Sequence, residues 1–169
     1  MPTTTPGFKI VRSVSVMGHS GGGGHCEIRY EDCRVPVENR LGPAGAGFAI
    51  AQARLGPGRI HHCMRCIGGS QRAYEIMVNY AANRKVGGEP LGTKQFVQEF
   101  IATSKMEIDQ ARLFTLYTAW KMDTVGKKEA AQEISMVKVI AANLLMGVCD
   151  RSIQVMGSLG VSDDTPVAS

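Results

Sequence analysis

Apolar and polar residues alternate near the start of the chain, and this alternation predicts β-strands. The apolar residues at even positions are Phe8, Ile10, Val14 and Val16. Successive side chains of a strand point to opposite faces, so a period of two is typical of a half-buried strand. Ile28 and Tyr30 share one face of a second such segment over 26–31. We therefore predict two antiparallel strands at the start of the chain.

The apolar positions change to helical spacing after the glycine-rich loop of residues 42–47. Phe48, Ala51 and Leu55 repeat at intervals of three and four residues, and Gly56-Pro57-Gly58 then interrupts them. Proline is tolerated in the first turn of a helix, where its missing N–H has no acceptor anyway. A longer helix is therefore predicted to start at the interruption and to run to about Asn83.

Two more helices are predicted, from Lys94 to Asp123 and from Lys128 to Met156, with Gly126 breaking the chain between them. The first of them places six residues on one wide apolar face: Phe100, Met106, Ile108, Leu113, Leu116 and Trp120. The last helix is apolar nearly all round, which is typical of a helix buried between others in its own subunit or a partner. The predicted fold class is thus mainly α, a strand pair followed by an antiparallel array of three long helices.

Composition narrows the class of protein. The 169 residues, 44% hydrophobic, suffice for one ordinary domain or a small domain with part of a second. The net charge of +4 comes from scattered basic residues, so no nucleic-acid surface is expected. The five cysteines fit no disulfide framework, and the apolar stretch Val139 to Cys149 is short for a membrane span. We expect a soluble intracellular protein with reduced thiols.

Two short motifs invite a ligand-binding interpretation. Gly21 to Gly24 resembles a phosphate loop, yet it lacks the Gly-Lys-Ser/Thr ending and lies between strands, so a flexible hairpin is favoured. The run His61-His62-Cys63-Met64-Arg65-Cys66 contains the commonest zinc ligands. No second ligand pair follows downstream, so buried thiols and a packed histidine are favoured, and no metal is expected.

Several ordered motifs carry a more specific signal. They are Asp32-Cys-Arg-Val-Pro-Val-Glu-Asn39 with Gly45-Ala-Gly-Phe48, then Arg72-Ala-Tyr-Glu75, Tyr80-Ala-Ala-Asn-Arg84, Pro90-Leu91 with Gln95, and Gln154-Val-Met-Gly157 with Gly160. In this order and at this spacing they resemble the carboxy-terminal portion of the acyl-CoA dehydrogenase family. The run from Arg54 to Arg65 resembles the branch of family members ten and eleven, which favours longer acyl chains.

The resemblance implies a domain organisation and a cofactor. Residues 1–43 would be a remnant of the family's middle β-domain, and residues 44–169 a truncated carboxy-terminal helical bundle. The family encloses FAD between these domains, and two subunits contribute to each cofactor site. A homodimer or homotetramer is therefore expected.

The resemblance also assigns roles to individual residues. Arg84 matches the arginine that reaches the FAD pyrophosphate of a neighbouring subunit, and Gln95 matches a glutamine that contacts the cofactor. Gln154 and Gly157 match the segment where an amide and exposed backbone approach FAD. Arg59 matches the arginine that contacts coenzyme A.

The implied reaction is α,β-dehydrogenation of acyl-CoA thioesters, with FAD as cofactor and an electron-transfer acceptor as partner. The resemblance places the catalytic base beyond Ser169, so no catalytic residue is expected within the chain and the fragment alone would be inactive. The other hypothesis is a non-catalytic helical module that binds acyl-CoA or associates with a full-length homologue. The compartment would be the cytoplasm in bacteria and the mitochondrion or peroxisome in eukaryotes.

Overall fold

The structure is a computed structural model that describes residues 1–16 and 24–167. Its residues form two compact units, Met1–Ala51 and Gln52–Ser169, and each is described by itself. Residues 17–23 lie outside the described part of the chain, so the flexible hairpin predicted at Gly21 to Gly24 stays a prediction.

The first unit contains the predicted strand pair. Strand β1 (Phe8–Val14) pairs antiparallel with strand β2 (His25–Tyr30), and the register shifts once, between Ile10 and Arg12. The prediction that one face of these strands is half-buried is wrong, because Ile10, Ile28 and Tyr30 are exposed. Among the described elements, each strand packs mainly against the other strand, so no further element covers the apolar face of the pair.

Helix α1 (Gly47–Asn83) runs without a break through Pro57, which corrects the predicted interruption at Gly56-Pro57-Gly58. Proline has no N–H, so it leaves the carbonyl oxygen four residues earlier, that of Ala53, without its helical partner. Lys127 Nζ donates to this oxygen at 2.8 Å. Gly56 is buried beneath the Lys127 side chain, and an added Cβ would lie 3.4 Å from Lys127 Cδ.

Replacement of Lys127 by methionine should therefore weaken the helix at Pro57. We expect the free energy of unfolding to fall by about 1 kcal/mol. This is less than a buried charged hydrogen bond contributes, because solvent screens the exposed lysine. In a Pro57→Ala background most of this cost should disappear, since the N–H of residue 57 then reaches Ala53 O. Urea unfolding of the four proteins of this cycle, followed by far-UV circular dichroism, measures the coupling.

Lys128→Met is the matched control, because Lys128 is exposed and makes no side-chain hydrogen bond or ion pair within the described residues. An equal cost of Lys127→Met with proline and with alanine at position 57 would show that the lysine does not compensate for the proline.

The second unit holds most of α1 together with α2 (Gln95–Val125) and α3 (Ala131–Met156). A short hairpin of β3 (Lys85–Val86) and β4 (Glu89–Pro90) connects α1 to α2. Gly87 and Gly88 both have positive φ angles, as the tight two-residue hairpin turn requires. The helices alternate in direction, so the predicted antiparallel array of three long helices is confirmed.

The core of the bundle consists of three apolar layers along its length. Cys63 packs with Val137 and Ala141 in the first layer. The middle layer is the largest and joins all three helices through Ile67, Ala73, Ile108, Ala111, Leu144 and Val148. Met77, Ala81, Val97 and Val155 form the third layer, with Tyr80 and Leu91 packed against it. This third layer supports the end of the bundle where α1 and α3 finish and α2 begins.

Two ion pairs connect α2 to α3. Arg151 donates to both carboxylate oxygens of Glu107, at 2.7 and 3.0 Å, and its Nη1 also reaches Ser104 Oγ at 3.1 Å. Lys121 Nζ donates to Glu133 Oε1 at 2.6 Å. This bond raises the pKa of Lys121, and together with the backbone N–H of Glu133 it lowers the pKa of the Glu133 carboxyl.

The outer sides of α2 and α3 carry exposed apolar residues. On α2, Ile108 is fully buried, whereas Met106, Leu113, Leu116 and Trp120 are exposed. The single wide face predicted for this helix is therefore wrong, because the apolar positions belong to two opposite faces. On α3, Val139 and Met146 are exposed as well.

The segment Ala131–Val161 is long and apolar enough to cross a membrane by length and composition alone. The expectation that the longest apolar stretch, Val139 to Cys149, is too short for a membrane span is therefore corrected. The core helix of a soluble protein passes the same test, and α3 contributes eight buried residues to the bundle.

Candidate functional site

The antiparallel topology brings four of the five residues singled out in the sequence to one end of the bundle. Arg84 follows the last residue of α1, Gln95 is the first residue of α2, and Gln154 and Gly157 lie at the end of α3. The third core layer lies beneath them and contains residues from α1, α2 and α3. The four residues are therefore anchored to the same packed layer.

Arg84 has a fixed backbone and an exposed side chain. Its N–H donates to Tyr80 O at 2.8 Å, and its carbonyl accepts from the N–H of Leu91 at 2.6 Å, across the β3–β4 hairpin. Within 1–16 and 24–167 no carboxylate pairs with its guanidinium. A rigidly based cation without a protein partner is available to an anionic ligand.

A pocket of about 380 Å³ lies beside Arg84, between the last turns of α1 and the end of α3. Its apolar wall contains Ile76 and Met156, and Tyr80 adds an aromatic surface. Asn79 and Asn83 form the polar rim, where Asn83 Nδ2 donates to the carbonyl and side-chain oxygens of Asn79 at 2.8 and 3.1 Å. An apolar wall with a few convergent polar groups is typical of small-molecule sites.

The lining residues of α1 were not singled out as candidates in the sequence. Ile76, Tyr80 and Asn83 recur at intervals of four and three residues, which places them on one face of the helix leading to Arg84. This spacing was the available signal. Met156 offered none, because only the fold brings α3 to this position.

The segment after α3 presents backbone to solvent. Gly157 ends α3 with φ 63° and ψ −137°, a conformation that side-chain-bearing residues rarely adopt, and an added Cβ would meet no atom within 4 Å. Gln154 is exposed one turn earlier. Gly160, by contrast, packs so closely on α3 that a Cβ would lie 2.8 Å from Ile153 Cα. The 3-10 helix Gly157–Val161 is therefore held against α3 while its first residue remains open to a ligand.

Gln95 lies at the start of α2, where Lys94 is the N-cap residue and provides no side-chain cap. The first turn of a helix has unpaired N–H groups and the positive end of the helix dipole. The exposed amide of Gln95 therefore lies in an electropositive part of this end of the bundle.

Arg59 is not brought together with the other four residues. It is half-buried in α1 and lies 25 residues before Arg84, which corresponds to about 37 Å along the helix axis. If both arginines contact ligands, they contact them at distant points.

Among the described residues, no carboxylate is placed to act as a catalytic base at the pocket beside Arg84. No carboxylate lines it. A second pocket of about 270 Å³ contains Glu107, but that carboxylate is occupied by Arg151. The expectation that the base lies beyond Ser169 stays a prediction.

The His61 to Cys66 run does not assemble a metal site within the described ranges, where no group of three or more His, Cys, Asp or Glu side chains converges. The two imidazole rings are exposed and lie 5.8 Å apart, edge to face. Cys63 is buried in the first core layer, and burial, with the nearby Cys66, raises the pKa of its thiol.

Comparison with family models and with known proteins identifies relatives of this chain. The family model "Acyl-CoA dehydrogenase, C-terminal domain" matches residues 45–169. "Probable acyl-CoA dehydrogenase FadE2" of Mycobacterium tuberculosis is 54% identical over 168 residues, which cover 99% of this chain and 41% of that protein. Acyl-CoA dehydrogenase family member 11 of Gallus gallus is 47% identical, over 100% of this chain and 22% of that protein.

The structure of butyryl-CoA dehydrogenase from Megasphaera elsdenii matches with a TM-score of 0.89 and 29% identity, covering 99% of this chain and 43% of that one. The chain therefore belongs to the acyl-CoA dehydrogenase family, in which residues 45–169 match the C-terminal domain. The predicted likeness to family members ten and eleven is confirmed. The chain spans less than half the length of each of these relatives.

Proposed function

We propose that the chain is the part of an FAD-dependent acyl-CoA dehydrogenase that binds the adenine-nucleotide half of the cofactor. The observation that carries the proposal is the exposed Arg84 guanidinium, held by the hairpin beside an apolar pocket and without a carboxylate partner among the described residues. A guanidinium fork pairs with two phosphate oxygens at once, which suits the pyrophosphate of a dinucleotide.

The pocket fits a part of FAD and not the whole. Its volume of about 380 Å³ lies at the lower end of small-molecule sites, which span roughly 300–1,000 Å³. Tyr80, Ile76 and Met156 supply apolar and aromatic surface for a planar base, and Asn79 and Asn83 supply hydrogen-bonding groups. Gly157, whose backbone is open to solvent, and the amides of Gln154 and Gln95 complete the proposed binding set.

In this proposal the chain's own residues bind and orient, and they remove no proton. FAD when bound supplies the acceptor for a hydride from the β-carbon of an acyl-CoA thioester. The carboxylate that takes the α-proton belongs to the part of the longer relatives that lies outside residues 1–169. Arg59, far along α1 from the FAD end, is assigned to coenzyme A.

Assembly and electron transfer are part of the same proposal. A second subunit of a homodimer or homotetramer would complete the FAD site at Arg84. The reduced enzyme would then pass electrons to an electron-transfer protein. Relatives occur in bacteria and in eukaryotes. The proposed compartment is therefore the cytoplasm in the first case and the mitochondrion or peroxisome in the second.

Titration of the purified chain with FAD tests the assignment. We expect ADP to compete with FAD and FMN not to compete, because the residues of this site address the adenine-nucleotide half. Arg84→Met should weaken binding at least about tenfold by removing the charge-assisted bonds. Arg84→Lys should retain part of the affinity, since an ammonium provides charge without the fork.

Arg65→Met is the matched control, because Arg65 is an exposed arginine within α1, about 28 Å before Arg84 along the helix axis. Equal losses from the two arginine variants would mean that only overall charge matters. Absence of FAD binding in the unaltered chain would favour the other hypothesis, a helical module that acts without flavin.

A further inference from the structure

The first half of α1 carries positive charge that the bundle does not neutralise. Between Gly47 and Tyr74 the helix contains four arginines and two histidines but no aspartate or glutamate. Within residues 1–16 and 24–167 none of these four arginines forms an ion pair, whereas Lys121 and Arg151 on the other two helices both pair with carboxylates. This acid-free stretch of α1 is therefore suited to an anionic ligand.

Gly58 lies within this stretch, and most of the charge is close to it. Residues three and four positions apart are neighbours on the surface of a helix. The neighbours of Gly58 by this spacing are Arg54, Leu55, His61 and His62, and all four are exposed. None of the four belongs to the buried face of α1.

Packing within the bundle does not explain a glycine at position 58. An added Cβ there would meet no atom within 4 Å. Glycine destabilises the interior of a helix relative to alanine, so its presence without a packing contact needs another reason. The missing side chain leaves an area of bare backbone one residue wide, which suits a small ligand better than a second helix.

The side chains around Gly58 offer hydrogen-bond donors to such a ligand. Helical side chains lean toward the amino end of their helix, so the imidazoles of His61 and His62 lie over the turn that contains Gly58. Their rings are 5.8 Å apart, edge to face. An imidazole keeps at least one N–H donor in either protonation state. The guanidinium of Arg54 adds a fork that pairs with two oxygen atoms.

We propose that Arg54, Gly58, His61 and His62 form a binding site for a phosphomonoester, with its phosphoryl group over Gly58. A phosphoryl group has three strong acceptor oxygens and nearly two negative charges, which match one guanidinium and two imidazoles. A carboxylate has two oxygens and one charge, so it would leave a donor without a partner. Leu55 is 43% exposed and offers apolar contact to the organic part of the ligand.

This site is separate from the proposed FAD site. Gly58 lies 26 residues before Arg84, which corresponds to about 39 Å along the helix axis. The FAD proposal can therefore fail without affecting this one, and the reverse also holds.

Titration of the purified chain with n-butyl phosphate at constant ionic strength, followed by NMR of the histidine side chains, tests the proposal. We expect the imidazole signals of His61 and His62 to shift saturably, whereas that of His25, an exposed histidine in β2, should not. Pentanoate, which carries a carboxylate on the same butyl group, should bind at least about fivefold more weakly.

Two substitutions separate the charge of the site from its shape. Arg54→Met should raise the dissociation constant for n-butyl phosphate at least about fivefold by removing the charged fork. Gly58→Leu should produce a loss of similar size without changing any charge, because the leucine side chain covers the bare backbone. Leucine is a better helix former than glycine, so this variant should remain folded, as far-UV circular dichroism checks.

Each substitution has a matched control in the same helix. Arg72→Met removes an exposed arginine about 27 Å from Arg54. Gly68→Leu replaces another glycine whose added Cβ would meet no atom within 4 Å. Both control variants should bind n-butyl phosphate as tightly as the unaltered chain.

The proposal is overturned if the His61 and His62 signals do not shift saturably, since an acidic part of the longer polypeptide would then be the partner of these cations. Equal binding of pentanoate would exclude a site for phosphoryl groups. Equal losses from Arg54→Met and Arg72→Met would show that overall charge, and not this turn of α1, attracts the anion.

Discussion

Replacement of Ile108 by alanine should lower the free energy of unfolding by about 3–4 kcal/mol. Ile108 is fully buried in the middle layer, the largest of the three, where it packs among residues of all three helices. The substitution removes three buried carbon atoms and leaves a cavity that the surrounding helices close only in part. Isoleucine-to-alanine substitutions in such positions cost roughly 2–5 kcal/mol.

Urea unfolding followed by far-UV circular dichroism measures this loss. Ile108→Val should cost about 1 kcal/mol, because it removes a single methyl group. Val125→Ala is the control, since Val125 is half exposed at the end of the same helix and should change stability by less than about 0.5 kcal/mol. If Ile108→Ala were as mild as the control, the layer would not be the centre of the core.

The helices themselves were predictable because their signals are local. Apolar residues at helical spacing and the break at Gly126 placed α2 and α3 within three residues of their observed ends. The run through Pro57 was not predictable in this way. Its continuity depends on Lys127, which lies 74 residues beyond Ala53 in the chain and reaches it only in the folded bundle.

Periodicity also failed to separate the two apolar faces of α2. Ile108 and Leu113 are both apolar and close in sequence, yet the first is fully buried and the second is largely exposed. Spacing states which residues share a face, but it does not state which face the rest of the bundle covers. The exposed apolar face of α2 could be recognised only from the positions of α1 and α3 in the folded bundle.

The residues of the candidate site were found by family resemblance, and the helix topology brings them together. Arg84 and Gln154 are 70 residues apart, and nothing in the local pattern of either one indicates that they lie at the same end of the bundle. The antiparallel order of the helices places them there. The pocket wall at Ile76 and Tyr80 had a readable spacing, but an apolar helical stripe is usually core.

Gly160→Ala should lower the free energy of unfolding by about 3 kcal/mol and also weaken ligand binding at the end of the bundle. The added Cβ would lie 2.8 Å from Ile153 Cα and 2.9 Å from Ile153 O. These are backbone atoms of α3 and cannot rotate away, so the 3-10 helix Gly157–Val161 must shift. Overpacking of this kind typically costs 1–3 kcal/mol.

The shift would be transmitted to the proposed FAD site, because Met156 lines the pocket and the added Cβ would also lie 3.2 Å from Met156 Cβ. We therefore expect the FAD affinity of the folded Gly160→Ala chain to fall by at least about tenfold. Thermal unfolding and FAD titration below the unfolding temperature measure the two effects separately.

Gly58→Ala is the matched control for Gly160→Ala. It adds the same methyl group to a helical glycine in α1, where the new Cβ would meet no atom within 4 Å. Alanine is favoured over glycine inside a helix by up to about 1 kcal/mol, so this variant should be as stable as the unaltered chain or more so. Equal behaviour of the two variants would show that Gly160 does not need its close contact with α3, and the link between this turn and the FAD site would then fail.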